Sequence, residues 1–282
     1  MISYKTIRFA VFSLMTLCAT LSYAQVGINT TTPNGALEIS SSTNGVVFPR
    51  VALTASNVAA PVVNPNGGSL ALGTTVFNTN ATTTGSNDVY VGKYYWDGSR
   101  WEAQFSRMQS QLYTQDMSVN GSNPNNDFIG FRARANGGFQ NIHGLDNQTF
   151  TADYTGTYRI ALHGNYGAGQ VKTPTASQDG TFVAGQGFFR LRFDGTNYDR
   201  YVNSASTFNN SGAGSAVNYF AIGNHFTQII YVELTAGETY DFNLSFDQFT
   251  DVKLINNGNS ANGRGVVGIL TPSTIEITFA DE

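Results

Sequence analysis

The sequence predicts an all-β chain in which an irregular short-strand stalk segment precedes a C-terminal two-sheet jelly-roll sandwich. Three observations point there. Charged residues make up only 12% of the chain, about half the usual share in globular proteins, and Gly, Asn, Ser and Thr fill the gap. Apolar residues recur at every second position in several runs, which is the strand period. Gly and Asn turns punctuate those runs.

The first element is a leader. Residues 1–8 carry Lys5 and Arg8 and no acid, and residues 9–23 are almost uninterrupted in apolar and small side chains. Ser22-Tyr23-Ala24 puts small residues three and one before a cut. These are the three regions of a signal peptide, so residues 1–24 are expected to be cleaved after Ala24 and the protein secreted or held at the cell surface. The apolar run is shorter than the roughly 20 residues that cross a bilayer, and no membrane span is expected after cleavage. Cys18 follows Leu17 in mid-run, where a lipid-modified cysteine wants a small neighbour at the end of the run.

Cys18 is the only cysteine and leaves with the leader. The mature chain is then without a disulfide, a thiol nucleophile or a thiolate ligand. Packing or oligomerisation must do what disulfides do in many exported domains. Loss of Lys5 and Arg8 leaves thirteen basic residues against nineteen acidic ones, a balance of −6. That argues against nucleic acid, which wants a concentrated basic face.

Residues 25–107 form the stalk-like segment. Its apolar pieces (Val26-Gly27-Ile28, Ala36-Leu37-Glu38-Ile39, Gly45-Val46-Val47-Phe48) are short and divided by Gly, Pro, Asn or Ser. Pieces of this length are expected not to bury a core alone, and make sense wrapped with copies from other chains. Two aromatic-rich strands flank Asp97-Gly98, a favoured tight-turn pair. VGINTTTPNGALEI, GVVFPRVALT, GTTVFNT and KYYWDGSRW, in that order, resemble the amino-terminal stalk of exported Bacteroidetes surface and tail-fibre-like proteins. The resemblance covers about residues 25–105 and implies a fibrous, self-associating stalk.

Residues 108–126 read as a polar linker, with a short helical turn over residues 109–115 and an Asn/Gly/Ser/Pro boundary after it. Strand alternation is clearest across residues 127–282. Phe150, Ala152 and Tyr154 alternate with polar residues; so do Tyr158, Ile160 and Leu162, then Phe189, Leu191 and Phe193. Ile230, Val232 and Leu234 follow, then Tyr240, Phe242, Leu244 and Phe246, and finally Ile275, Ile277 and Phe279. Strands with one apolar face must pack on a second sheet, and a jelly roll is the expected result.

FTADYTGTYRIALHGNY, RLRFDGTNYDRY, TQIIYVELTAGETYDFNLSF and STIEITF, in that order, resemble the globular head of the complement C-one-q and tumour-necrosis-factor superfamily. The resemblance covers about residues 128–279 and implies a ten-strand jelly roll assembled as a tight homotrimer, with ligands read by loops and inter-subunit grooves. Gly237-Glu238 stands where that family has Gly-Asp, and no collagen-like stalk precedes the head. Residues 171–187 and 203–224 are expected as longer recognition loops, rich in Gly, Asn, Ser and aromatics.

Chemistry is sparse. His143, His163 and His225 are not at metal-ligand spacing from one another, and no Gly-x-Ser-x-Gly elbow occurs. Gly164-Asn165-Tyr166-Gly167-Ala168-Gly169 has the wrong spacing for a dinucleotide loop and reads as a mobile loop. Asp194-Gly195 reads as a turn. Asp241 and Asp247 are about 20 Å apart at strand rise and cannot share a metal, which leaves Asp247 and Asp251 as the one candidate calcium site. Phe188, Ile229 and Tyr231 fall on the faces opposite the core set, where apolar residues suggest a subunit interface.

The expectation is therefore an exported, non-enzymatic binding or adhesion protein without a resident cofactor. Its partners are other copies of itself in a homotrimer and an extracellular glycan or protein ligand. A glycan-active enzyme on the same sandwich would need two convergent carboxylates. An outer-membrane barrel would need an unbroken first segment.

Overall fold

A computed structural model describes residues 4, 25–117, 131–132, 138–172, 180–209, 217–249, 253–255, 265–269 and 271–280. The expected signal peptide, apart from Tyr4, lies outside them, as do Asp251 and the Asn/Gly/Ser/Pro boundary. The chain divides into two compact units, Met1–Pro49 and Arg50–Glu282.

In the first unit β1 (Val26–Ile28) pairs in parallel with β2 (Leu37–Ile39). Val26, Ile28, Leu37, Val46 and Val47 are exposed, Val47 to 85%. The apolar pieces thus find no interior within one copy, as the sequence predicts for pieces this short. A two-stranded pair alone is at best marginal in water.

The second unit opens with a four-stranded sheet of β3 (Arg50–Val51), β4 (Thr75–Asn78), β5 (Gly92–Trp96) and β6 (Trp101–Ala103), in that order. The predicted hairpin is there. Trp96 faces Trp101 across it, and the Asp97 carboxylate accepts from the backbone N–H groups of Ser99 and Arg100. This part corrects the expectation for the last of the short pieces, residues 51–54, which does help bury a core within one chain. From Arg50 onward, Leu53, Val76, Val89, Tyr94, Trp96 and Trp101 form a buried cluster. Loops supply what the short strands lack. The buried Asn78 amide bonds the backbone of Leu53, Asn80 and Tyr90, and the Trp101 indole donates to the Val58 carbonyl at 2.9 Å.

The sandwich follows. Its strands are β7 (Ser110–Thr114), β8 (Phe131–Arg132), β9 (Gln140–Asn141), β10 (Gln148–Thr151), β11 (Gly156–Gly167) and β12 (Gly180–Phe193). Then come β13 (Thr196–Asn209), β14 (Val217–Tyr219), β15 (Asn224–Leu234), β16 (Thr239–Gln248), β17 (Val266–Val267) and β18 (Thr274–Phe279). The first sheet orders its main strands β7-β18-β11-β15, with β17 and β8 continuing one edge, and the second orders β10-β16-β12-β13-β14. Taking the eight principal strands in chain order, one sheet holds the first, eighth, third and sixth, and the other the second, seventh, fourth and fifth. That is a jelly roll, as predicted. The alternating residues named above meet inside it: Tyr158, Ile160, Leu162, Phe189, Leu191, Phe193, Phe242, Leu244, Phe246, Ile275 and Ile277 are all buried in one cluster. Its apolar faces point inward, the reverse of the outward band of a membrane barrel.

Three local readings are corrected. Residues 110–114 are a strand and not a helical turn, paired with β18 from Ser110 to Thr114. The glutamines that read as polar connector are structural bonders. The Gln109 amide accepts from Tyr158 and Asp153 and donates to Thr151, while buried Gln115 bonds Val267 and Ser273. Burial pushes the Tyr158 phenol up to about 12.

The glycine run from Gly164 is not a mobile loop. Gly164 to Gly167 extend β11, and the glycines permit close approach. A Cβ on Gly164 would lie 2.8 Å from the Phe226 ring, and one on Gly167 2.7 Å from the Ala221 backbone. The third correction concerns the expected recognition loops. Residues 180–187 and 203–209 belong to one long hairpin, β12–β13, closed by Asp194 and Gly195 at φ 44° and 76°. Both φ values are positive, as a tight primed turn requires. Small residues at Ala184, Gly185 and Ala205 let this hairpin run on where the sequence suggested a break.

Gly167→Ala is expected to lower stability by about 1–3 kcal/mol through overpacking against backbone that cannot withdraw. A thermal melt of the purified mature chain measures this, and an unchanged midpoint would contradict the close packing.

Candidate functional site

Strand register decides what each sheet presents outward. Residues directly opposite each other in an antiparallel pair share a face. On the first sheet the outward set is Ser110, Leu112 and Thr114 of β7, Thr274, Glu276 and Thr278 of β18, Arg159, Ala161 and His163 of β11, and Thr227, Ile229 and Tyr231 of β15. Leu112, Ile229 and Tyr231 are exposed to 63%, 46% and 64%. Arg159 and Glu276 pair at 3.5 Å between them. The face is thus largely polar, with the ion pair at its centre, Leu112 exposed on one side of it and Ile229 and Tyr231 on the other. Ile229 and Tyr231 lie where the sequence placed them.

Toward the far end of this face a pocket of about 290 Å³ is lined by His163, His225, Thr227 and Pro272. The sequence separates these histidines by sixty residues, but the β11–β15 register sets His225 opposite Asn165, two positions from His163. His163 Nδ1 shares a hydrogen bond with the Thr227 hydroxyl at 2.9 Å. His143 lies elsewhere, on an exposed loop whose carbonyl accepts from Asp116 N–H. Among the described residues no group of three or more His, Cys, Asp or Glu side chains could hold a metal ion. Of the candidate calcium pair, Asp247 sits on β16 opposite Phe188, and Asp251 lies outside the described residues.

The second sheet presents Phe188 with Tyr201 and Phe249 at ring centroids of 5.7 and 5.4 Å. Beside them Arg190 makes two 2.7 Å hydrogen bonds to the Asp199 carboxylate. That pairing holds Asp199 below the usual carboxylate range and Arg190 above its own.

A third concavity, of about 740 Å³, lies where the small sheet meets the sandwich. Its carboxylates are engaged within the chain. Glu102 pairs with Arg100 at 2.7 Å, and Glu233 accepts from the Thr157 hydroxyl at 2.6 Å. Asp88 accepts from Thr82, Thr84 and Gly85 on one oxygen and from the Thr155 hydroxyl on the other. Thr155 N–H in turn donates to the Tyr90 hydroxyl, and the Tyr90 ring meets Tyr154 edge-on at 5.0 Å. Burial pushes Asp88 up, but these hydrogen bonds outweigh it and hold the carboxyl below its ordinary value. The arrangement is a joint that fixes the small sheet to the sandwich. Sequence reading missed it, although Thr84-Gly85 placed just before Asp88 is a local turn signal.

Residues 27–120 match the family described as a phage tail like trimerisation region. The match covers about a third of the chain. It runs through the exposed apolar pieces of the first unit and the whole small sheet, and ends just past β7. It supports a trimeric, self-associating β-protein. No curated protein matches the chain. Among solved structures, one titled "Structure of infectious bursal disease virus Gx strain" is 8% identical with a TM-score of 0.29, over 73% of this chain and 41% of that one. A score that low carries no argument.

Asp88→Asn removes the charge that four groups of donors converge on, and is expected to destabilise the chain by about 2 kcal/mol at neutral pH. The folded-state pKa lies below the ordinary 3.8. The stabilisation is therefore present above that value and is lost as pH falls through the folded pKa. Thermal melts from pH 7 to pH 3 should show the gap between parent and variant closing with acidification; a constant gap would contradict the assignment.

Proposed function

We propose that this chain is an exported, non-enzymatic protein that assembles as a homotrimer and serves outside the cell as a structural and binding element. One observation carries the reading: large apolar side chains lie uncovered in the segment that matches a trimerisation region, and again on the outward face of the sheet whose edge strand, β7, that match includes. Isolated exposed apolar residues are ordinary. Leu112, Ile229 and Tyr231 exposed together on strands that are otherwise well paired favour contact with another copy.

The jelly-roll strand order favours likening the head to the complement C-one-q and tumour-necrosis-factor superfamily. The leader in residues 1–24 favours export to the cell surface or the medium. The intrachain engagement of Asp88, Glu102 and Glu233 favours binding over carboxylate catalysis, which requires two carboxyl groups free to converge on substrate.

Mass photometry of residues 25–282 at micromolar concentration should give the mass of three chains; a monomer would sink the proposal. Tyr231→Asp is expected to weaken assembly tenfold or more while leaving the melting profile of the fold intact. Expression of the full chain in an exporting host should yield a product whose first residue is Gln25, read by N-terminal sequencing. A product that retains residues 1–24 would overturn export by cleavage.

A further inference from the structure

The outward side of the second sheet carries a groove that the self-association reading leaves unused. It has a volume of about 470 Å³ and is lined by Asn141, Asn147, Gln148, Arg192, Asp241 and Asn243. Its position follows from how β16 is edged. β10 pairs with Gln148 opposite Phe242, and β9 pairs with Asn141 opposite Ser245. Between them the loop from Ile142 to Leu145 bonds both backbone groups of Leu244. The loop thus stands as a wall beside the outward Asn243, with Arg192 opposite Asn243 on the next strand.

The groove differs from the surface beside it. Arg190, two residues from Arg192 and on the same face, is committed to Asp199 and lies over the Phe139 ring at 3.9 Å. Arg192 and Asp241 have no hydrogen bond or ion pair from their side chains among the described residues. The Asn243 side-chain amide donates to Asn141 Oδ1 at 3.0 Å, yet its own Oδ1 is buried without a partner among the described residues. A buried acceptor left unpaired is uncommon and invites a donor. The lining thus offers four amides, one carboxylate and one guanidinium, with no net charge and more polar than apolar surface. Phe188 stands roughly 14 Å from Arg192 along β12 at strand rise, with the rings of Tyr201 on β13 and Phe249 just past β16 against it.

We propose that this face binds a neutral carbohydrate. Side-chain amides and a carboxylate–guanidinium set present adjacent donors and acceptors, which match hydroxyl pairs. The balanced charge selects against strongly acidic chains. The aromatic rings farther along offer apolar surface to the C–H face of a second sugar, as ligand sites combine few polar groups with aromatic walls. The ligand is then a short oligosaccharide lying along β16 and β12, met by the sheet face and not by the loops. This proposal rests on the reading of the chain as a binding protein and is independent of its copy number.

The test uses residues 25–282 on an array of neutral and acidic oligosaccharides, followed by titration calorimetry with the best neutral binder. Binding to neutral glycans is expected, and Arg192→Ala and Asp241→Ala should each weaken it tenfold or more with unchanged melting temperature. Tyr201→Ala should weaken the longer oligosaccharides more than the shorter. Preference for acidic glycans, or neutral binding that both groove variants leave intact, would overturn this site while the binding reading stood. No glycan bound at millimolar concentration would overturn the proposal altogether, and mass photometry of the same sample reports separately whether the trimer stands.

Discussion

Strand β11 is the constraint on which the second unit depends. It is paired on one edge with β15 over its whole length, and on the other with β18 and then β17. That double pairing fixes its register, and a slip of one residue would exchange every inward side chain for an outward one. Tyr158, Ile160, Leu162 and Tyr166 would leave the interior, and Arg159 and His163 would enter it. The glycines of β11 belong to the same constraint. Gly164 makes room for the Phe226 ring and Gly167 for the Ala221 backbone, so the strand can be long and still be covered closely at its far end.

Once that register is set, the two outward faces differ in chemistry. The first sheet shows Leu112, Ile229 and Tyr231 beside the Arg159–Glu276 ion pair and Glu233. The second shows amides, paired and unpaired ions, and a cluster of aromatic rings. One sandwich thus carries one face on which Leu112, Ile229 and Tyr231 stand exposed and another that combines amides, ions and aromatic rings. The Asp88 joint adds a rigid connection at one end, because its donors come from both the small sheet's loop and Thr155 of the sandwich. Thr155 also accepts from Ala236 N–H, which ties the joint to the turn between β15 and β16.

The parts of this fold that were legible in the sequence are those governed by local period. Tyr240 to Phe246 alternate in sequence, and the structure buries Phe242, Leu244 and Phe246 with Tyr240 half-buried against them. The hairpin turns at Asp97-Gly98 and Asp194-Gly195 were legible for the same reason: tight turns select residues that tolerate positive φ. What was not legible depends on long-range partners. Gln109 and Gln115 look like linker residues until Tyr158 and Ser273 are brought beside them. Gly164 and Gly167 look like flexibility until a ring and a neighbouring backbone are found against them. The long β12–β13 hairpin was hidden because Gly, Ala, Ser and Gln weaken the apolar rhythm, while its partner strand supplies the hydrogen bonds regardless. His163 and His225 met only through register, and the groove at Asn243 only through the way β9 and β10 share one edge of β16.

The cysteine content links these features to assembly. The mature chain expected from the sequence has no disulfide, and the second unit compensates with an aromatic interior: Phe189 and Phe246 approach at 4.7 Å, Tyr166 and Phe246 at 4.9 Å, and Tyr113 and Phe242 at 4.7 Å. Such pairs add to the burial of large rings. The first unit has no equivalent. Its β1–β2 pair leaves Val26, Ile28 and Leu37 in water, and an isolated two-stranded ribbon is at best marginal there. Either those strands remain open or they are covered by their counterparts in other copies. The trimerisation match falls on this segment, and covering by other copies removes apolar surface from water that one copy leaves exposed. Self-association is a physical means of covering the apolar surface that the β1–β2 pair exposes, while the sandwich and the small sheet each already hold a buried core within a single chain.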